Sequence, residues 1–311
     1  MLHGSAAQRL ERKMAFILLL FCLCCAVPFP AYALDESQVD FEIKFLLDSD
    51  QVLTDEHLLT DDFRALIGAG TEYRSIDVIY LETEGRDFLN EGWVNRIRWK
   101  EGKKKIERSY KKRYPLSGED AEDVRAALAQ AEADGFTFSD KAYSAQIDWG
   151  FSKMTLSVET EASGKYKDYH SLSQFSTADA IDFFQSAMPD EERDWGENRL
   201  GAAMLAQARK VGPLQYRRIK GSWEGTEADV EIWPMKDGYI TELSFKVKGL
   251  AAASALRERM TALLEEKGIL LHEDSLKTQM ILDDSLRAYP QEPDGIRPEA
   301  STQIGGQALS D

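Results

Sequence analysis

Charged and apolar residues alternate over short stretches of this chain, and the alternation predicts strands with one wet and one dry face. Over residues 40–44 the order Asp40, Phe41, Glu42, Ile43, Lys44 puts three charges on one side, with Phe41, Ile43 and then Phe45 on the other. A second strand is predicted over 75–83. The runs 93–100 and 104–115 predict a hairpin that turns at Glu101, Gly102 and Lys103. In it Arg96, Arg98 and Lys100 share a face opposite Trp93, Asn95, Ile97 and Trp99, and Ser109, Lys111 and Arg113 line up on the returning arm. A second hairpin is predicted from 142–149 and 154–161, and three more strands from 214–221, 228–233 and 239–247. In these, Arg218 aligns with Lys220, and Glu242 with Ser244 and Lys246.

Helical spacing predicts helices over 51–70, from about Glu119 to Asp134, over 177–188, 199–211 and 251–267, the last stopped by Gly268. Acids open the helix that starts near Glu119, where they complement the helix dipole. Residues 190–197 read as a charged loop. About eight antiparallel strands interrupted by helices predict an α+β domain over 34–285. Its simplest form is an antiparallel eight-stranded β-barrel, a tunnel, with flanking helices. From residue 286 to 311 periodicity vanishes while proline, glycine, glutamine and serine increase, which predicts a disordered tail.

The N-terminus changes the picture of where this domain works. Arg9, Arg12 and Lys13 precede an apolar run over 14–27, and Ala31, Tyr32 and Ala33 put small residues where a signal peptidase reads them. Residues 1–33 are therefore expected to be a signal peptide cleaved after Ala33, leaving a periplasmic or secreted protein. The run falls short of the roughly 20 residues a bilayer span needs, so no stable membrane anchor is expected. Cys22, Cys24 and Cys25 all lie in the expected leader, so the mature chain can form no internal disulfide. Four histidines and no mature cysteine argue against zinc. Removing three basic residues and one acidic residue with the leader takes the formal charge from −16 to −18, which disfavours nucleic acid as a partner. An acidic protein can still hold a small anion if its basic residues are gathered in one place.

A barrel with its apolar faces outward under helices gathers them. Its interior is lined partly by acids and partly by bases, which suits a phosphorylated or polyphosphate anion. Arginines and lysines pair with phosphate oxygens, and carboxylates can hold a bridging divalent cation that assists attack by water. The plainer readings are a solvated strand face for Asp40, Glu42 and Lys44 and an exposed hairpin for Arg96 and Arg98. Most of the tryptophans fit the outer core better than a ligand site, and His170 and His272 have no catalytic partner in sequence.

The order of these pieces resembles the CYTH, or triphosphate tunnel metalloenzyme, superfamily. Asp40-x-Glu42-x-Lys44 is similar to the opening Glu-x-Glu-x-Lys of that family, and Tyr80-Leu81-Glu82-Thr83 to its Tyr-x-Asp-Thr strand. Arg96-Ile97-Arg98, Ser109-Tyr110-Lys111, Arg218-Ile219-Lys220 and Glu242-Leu243-Ser244 look like the Arg-x-Arg, Thr-x-Lys, late basic and closing acidic strands. The resemblance implies that Asp40, Glu42 and Glu242 bind Mg²⁺ or Mn²⁺. It also implies that Lys44, Arg96, Arg98, Lys111, Arg218 and Lys220 bind phosphates, with Glu42 and Lys44 as the catalytic positions. Two departures stand out: Ser244 replaces an acid, and Glu-Ile-Trp-Pro occupies 231–234, where an acid often contributes. Three readings remain: a divalent-metal-dependent triphosphate or polyphosphate hydrolase, a non-catalytic anion-binding tunnel, and an interaction module on the same scaffold.

Overall fold

The structure, a computed structural model, describes residues 37, 39–138, 142–274 and 277–288. The expected signal peptide and residues 289–311 of the expected tail lie outside these. Among the described residues there are nine strands: β1 (Asp40–Leu47), β2 (Arg74–Glu82), β3 (Trp93–Lys100), β4 (Ile106–Pro115), β5 (Ser144–Trp149), β6 (Met154–Gly164), β7 (Arg209–Trp223), β8 (Thr226–Met235) and β9 (Gly238–Lys248). They close a barrel in the order β1-β5-β6-β4-β3-β2-β7-β8-β9. The expected α+β barrel is present, with two corrections. It has nine strands rather than eight, and it is mixed, because β1 pairs in parallel with β5, from Asp40 opposite Gln146 to Ile43 opposite Trp149. On its other edge β1 pairs antiparallel with β9, from Asp40 opposite Lys248 to Leu47 opposite Thr241. Alternation along a strand reports which face is dry and carries no information on strand direction, so the parallel pair was invisible in the pattern.

The dry faces point outward. Phe41 and Ile43 on β1, Ile97 on β3, Ile147 on β5 and Leu243 on β9 are all completely buried under helices. Burying each such side chain is worth roughly 1.5–3 kcal/mol. The helices present matching stripes. Helix α4 (Ala121–Ala133) buries Val124, Ala127, Leu128 and Ala131, and α8 (Leu250–Glu266) buries Ala253, Leu256, Met260 and Leu264, both at three- and four-residue spacing. The start of α4 is fixed by Asp120, whose carboxylate accepts from the backbone N–H groups of Glu122 (2.8 Å) and Asp123 (3.0 Å). Gly268, at φ +67°, ends α8 in the left-handed region that a side chain resists.

Elsewhere the expected helices are broken up. The stretch 51–70 holds two short helices, α1 (Ser49–Val52) and α2 (Asp61–Leu66), the second restarted by Thr60, whose hydroxyl caps Phe63. In place of a helix over 199–211 there is α7 (Leu200–Gln207), followed by strand from Arg209, because Gly212-Pro213 is absorbed at an irregularity in the β2–β7 pairing. Two further short helices are α3 (Asp87–Asn90) and α6 (Asp190–Arg193), and α5 (Thr177–Gln185) packs through Phe183 and Phe184. The last helix, α9 (Lys277–Ala288), was not expected, and its final three residues fall in the stretch read as tail.

The supposed loop at 190–197 also contains a fully buried acid. Glu192 on α6 faces the buried carboxamide of Asn95 on β3, and burial without a nearby cation pushes its carboxyl up to about 8. The packing there is close: a Cβ on Gly201 of α7 would sit 1.8 Å from the Glu192 carbonyl oxygen. Between pH 4.5 and 8 the folded chain keeps this proton while the unfolded chain releases it, so Glu192 lowers stability as pH rises, by up to about 1.4 kcal/mol per pH unit. Denaturant unfolding at pH 5, 6.5 and 8 is expected to show that slope in the wild type and its loss in Glu192→Gln. Parallel pH profiles for the two proteins would contradict the burial of a neutral acid.

Candidate functional site

Alternation sends the polar side chains of every strand into the barrel, and closure sorts them into two arcs around a cavity of about 1030 Å³. Lys111 and Arg113 on β4, Arg96 and Arg98 on β3 and Arg218 on β7 form the basic arc. Asp229 and Glu231 on β8, Glu242 on β9, Glu42 on β1 and Asp148 on β5 form the acidic one, and Glu159 on β6 stands at its junction with the basic arc.

Within the acidic arc Lys44 is the centre of a buried network. Its Nζ lies 3.0 Å from both Glu42 Oε2 and Asp148 Oδ1. Gln146 Nε2 donates to the same two oxygens at 2.8 Å, and Ser157 donates to Asp148 Oδ2 at 2.6 Å. Burial alone would discharge Lys44, but Asp148, Glu42 and Glu242 outweigh it and raise the ammonium above its ordinary range. Asp148 is held well below the carboxylate range against burial by Lys44, Lys111 and Arg113. At the junction Glu159 accepts from Arg96 Nη2 (2.9 Å) and from Ser109, with Lys111 Nζ 3.2 Å away. Burial opposes its charge, and Lys111 and Arg96 prevail and lower it.

The basic arc is less well satisfied. Arg113 sits deep in the lumen, where burial outweighs the attraction of Asp148 and lowers its guanidinium. Among the described residues its Nε and Nη1 meet no acceptor, and Nη2 reaches only Thr278 Oγ1 at 3.4 Å. Burial likewise lowers Lys111, against Glu159 and Asp148. Among the described residues Arg218 has one distant ionic partner, Asp229 at 3.7 Å.

One end of the lumen is apolar. Leu46, Val78, Tyr80, Val94 and Trp233 gather there, with Tyr216 stacked on Trp233 at 3.9 Å and 10°. Ile281 and Leu282 of α9 pack into this group and are almost wholly buried. The same face of α9 carries Lys277 one turn earlier. Its Nζ donates to Glu242 Oε1 (2.7 Å) and to Glu231 Oε2, which also accepts from the Trp233 indole at 3.0 Å. Burial opposes the Glu231 charge, but Lys277 holds it down to about 2.

The structure thus brings Glu42, Lys44, Arg96, Arg98, Lys111, Arg218 and Glu242 around one cavity. It does not bring Asp40 or Lys220 there. Asp40, at the start of β1, is about half exposed, 3.9 Å from Lys248, and Lys220, near the end of β7, is about as exposed beside Glu227. The acid that seemed missing near Trp233 is present as Glu231, two residues earlier on the same face. Asp148 and Glu159 on the second hairpin also point inward. Trp233 faces the lumen and not the outer core, and Glu82 is occupied in accepting from the N–H groups of Thr83, Phe88 and Leu89 at the start of α3. Lys277 escaped sequence reasoning, although its spacing to Ile281 and Leu282 places a lysine on the apolar face of a helix.

These residues fit an anion better than a divalent metal. Mg²⁺ and Mn²⁺ need several convergent oxygen donors, and Mg²⁺ in near-octahedral array. Here Glu231 and Glu242 are engaged by Lys277, Glu42 by Lys44 and Gln146, Asp40 is remote, and position 244 is a neutral serine. Among the described residues no three acidic or histidine side chains converge.

No family model and no curated protein matches the sequence. Solved structures align with most of this chain. One is a candidate adenylyl cyclase from Hippeastrum described as having a dominant triphosphatase activity, 17% identical over 78% of this chain and 94% of that one, with a TM-score of 0.48. Another is a candidate adenylate cyclase from Bacillus halodurans, 13% identical over 78% and 96%, with a TM-score of 0.40. A third, from Pyrococcus horikoshii, is 14% identical over 78% and 97%, with a TM-score of 0.37.

The pairing at Glu159 generates a test of the lumen. Glu159→Gln leaves Arg96 and Lys111 buried without their common counter-charge and is expected to destabilise the protein by roughly 3–5 kcal/mol at pH 7. A depressed carboxylate contributes above its ordinary pKa and loses that contribution in acid, so the difference between the two proteins should shrink as pH falls below 4.5. Urea titrations that differ by less than about 1 kcal/mol at pH 7 would place Glu159 in solvent.

Proposed function

We propose that the barrel is a receptor for a small phosphorylated or polyphosphate anion of the kind bound by CYTH-like tunnels, held by Arg113, Lys111, Arg96 and Arg218. The observation that carries this reading is Arg113. A guanidinium buried with two donors unpaired is costly, and phosphate oxygens would satisfy its fork. Arg113 belongs to no motif of the resemblance, yet it lines the cavity with Lys111 and reaches α9 at Thr278. The segregation of charge into two arcs orients such a ligand, drawing its anionic groups to β3, β4 and β7 and repelling them from β8, β9 and β1.

Hydrolysis aided by a divalent metal is the weaker reading, because the carboxylates that would hold the ion are engaged by Lys277 and Lys44. A barrel that serves only as a scaffold has no use for a buried arginine with two unsatisfied donor nitrogens in its interior.

We further propose that the chain is exported and cleaved after Ala33, on the strength of its basic, apolar and small-residue N-terminal order. Mass spectrometry of protein expressed in a secreting host should then find Leu34 at the mature N-terminus; a mature chain that still carries residue 20 would refute cleavage.

The anion reading is tested by thermal shift with tripolyphosphate, pyrophosphate and a nucleoside triphosphate. Tripolyphosphate should raise the Tm of the wild type. Arg113→Met should weaken its binding about 10- to 100-fold, the worth of hydrogen bonds to a charged group. The same substitution should raise unliganded stability by about 1 kcal/mol, since it removes an undercompensated buried charge. No shift with any of the three anions would leave the scaffold reading.

A further inference from the structure

Glu231 and Glu242 are direct partners across β8 and β9. Like charges facing each other across a sheet repel, and in a buried lumen the repulsion is strong unless a cation lies between them. The chain supplies that cation itself. Lys277 Nζ lies between the two carboxylates, 2.7 Å from Glu242 and in contact with Glu231, and 5.4 Å from the centre of the Trp233 ring. Burial opposes its charge, and the two carboxylates overcome that and raise it.

Its position is built in. Lys277, Thr278, Ile281, Leu282 and Ser285 share one face of α9, and the last four are buried. Ile281 and Leu282 are wedged among Tyr80, Val94, Tyr216 and Trp233, which fixes the register of the helix. Asp283 pairs with Arg86, and Asp284 accepts from the Lys236 backbone N–H at 3.1 Å, which ties the opposite side of α9 to the barrel wall. The lysine is therefore delivered to the acids by the packing of a helix and does not reach them as a free surface side chain.

We infer that Lys277 is the resident cation of this tunnel: its ammonium occupies the place between Glu231 and Glu242, so that a phosphorylated anion is held in the lumen without a divalent metal. A metal ion reaches those two carboxylates only when the first turn of α9 has left them. The lysine has three donors, and two are spent on the acids. This deepens the anion-receptor reading and rests on it for the ligand, but the exclusion of metal stands on the lysine alone.

The indole N–H of Trp233, bonded to Glu231, is a built-in reporter. In ¹⁵N-resolved spectra of the wild type, millimolar Mn²⁺ is expected to leave this resonance sharp, while in Lys277→Gln it broadens as Mn²⁺ binds about tenfold or more tightly. Lys277→Arg keeps a cation between the acids and should keep the resonance sharp. The indole of Trp99, bonded to the Lys103 carbonyl at the barrel's outer face, controls for general broadening. In parallel, tripolyphosphate should raise the wild-type Tm equally in EDTA and in Mg²⁺. Trp233 broadening in the wild type as strong as in Lys277→Gln, or a thermal shift that appears only with Mg²⁺, would overturn the inference. The wild-type arms decide it even if the glutamine variant folds poorly. If no anion shifts the Tm while Mn²⁺ still distinguishes the two proteins, the anion reading fails and the resident cation stands.

Discussion

A closed sheet that turns its charged faces inward must neutralise them there, because water cannot screen them as it would on a surface. Most of what is distinctive in this barrel follows from that requirement. Lys44 is centred on Glu42 and Asp148, Glu159 takes up Arg96 and Lys111, and Lys277 is carried in on a separate helix to separate Glu231 from Glu242. Because the interior is given over to ion pairs, the hydrophobic core lies outside it, as a layer between the sheet and α4, α5 and α8. The apolar cluster at one end is the exception, and it is there that α9 is held.

Two buried glutamates show how much the surroundings decide. Glu159 and Glu192 have the same side chain and are both withdrawn from water. Glu159 has two cations and a hydroxyl within reach and is held anionic. Glu192 has only an amide before it and is held neutral. The difference lies in which side of one sheet each faces, since Glu159 meets the inward Arg96 and Lys111 and Glu192 meets the outward Asn95.

Much of the barrel was legible from alternation alone. Arg96 and Arg98 face inward and Trp93 and Ile97 outward, as their spacing requires, and Glu42 and Lys44 follow the same rule on β1. What alternation cannot report is strand direction, hence the parallel β1–β5 pair, or where along a strand the lumen ends, hence Asp40 and Lys220 outside its lining. Glu231 is legible in face, but its role depends on its register opposite Glu242, which a single strand's alternation does not carry. Lys277 was hidden for another reason. A single helix of modest apolarity following an irregular stretch gives a weak periodic signal, and only its packing against Trp233 and Tyr216 reveals that it belongs to the interior.

The position of β1 also orders events in time. Asp40–Leu47 is the first strand to be made, yet one edge waits for Ser144–Trp149 and the other for Gly238–Lys248. Its first neighbour is made when almost half of the chain has been delivered, and its second edge stays open to other partners until Gly238–Lys248 follows. Such long-range pairing is slow to form. The barrel is therefore sealed by its oldest strand meeting its newest, and Lys277 is made only after every strand of the wall that it neutralises.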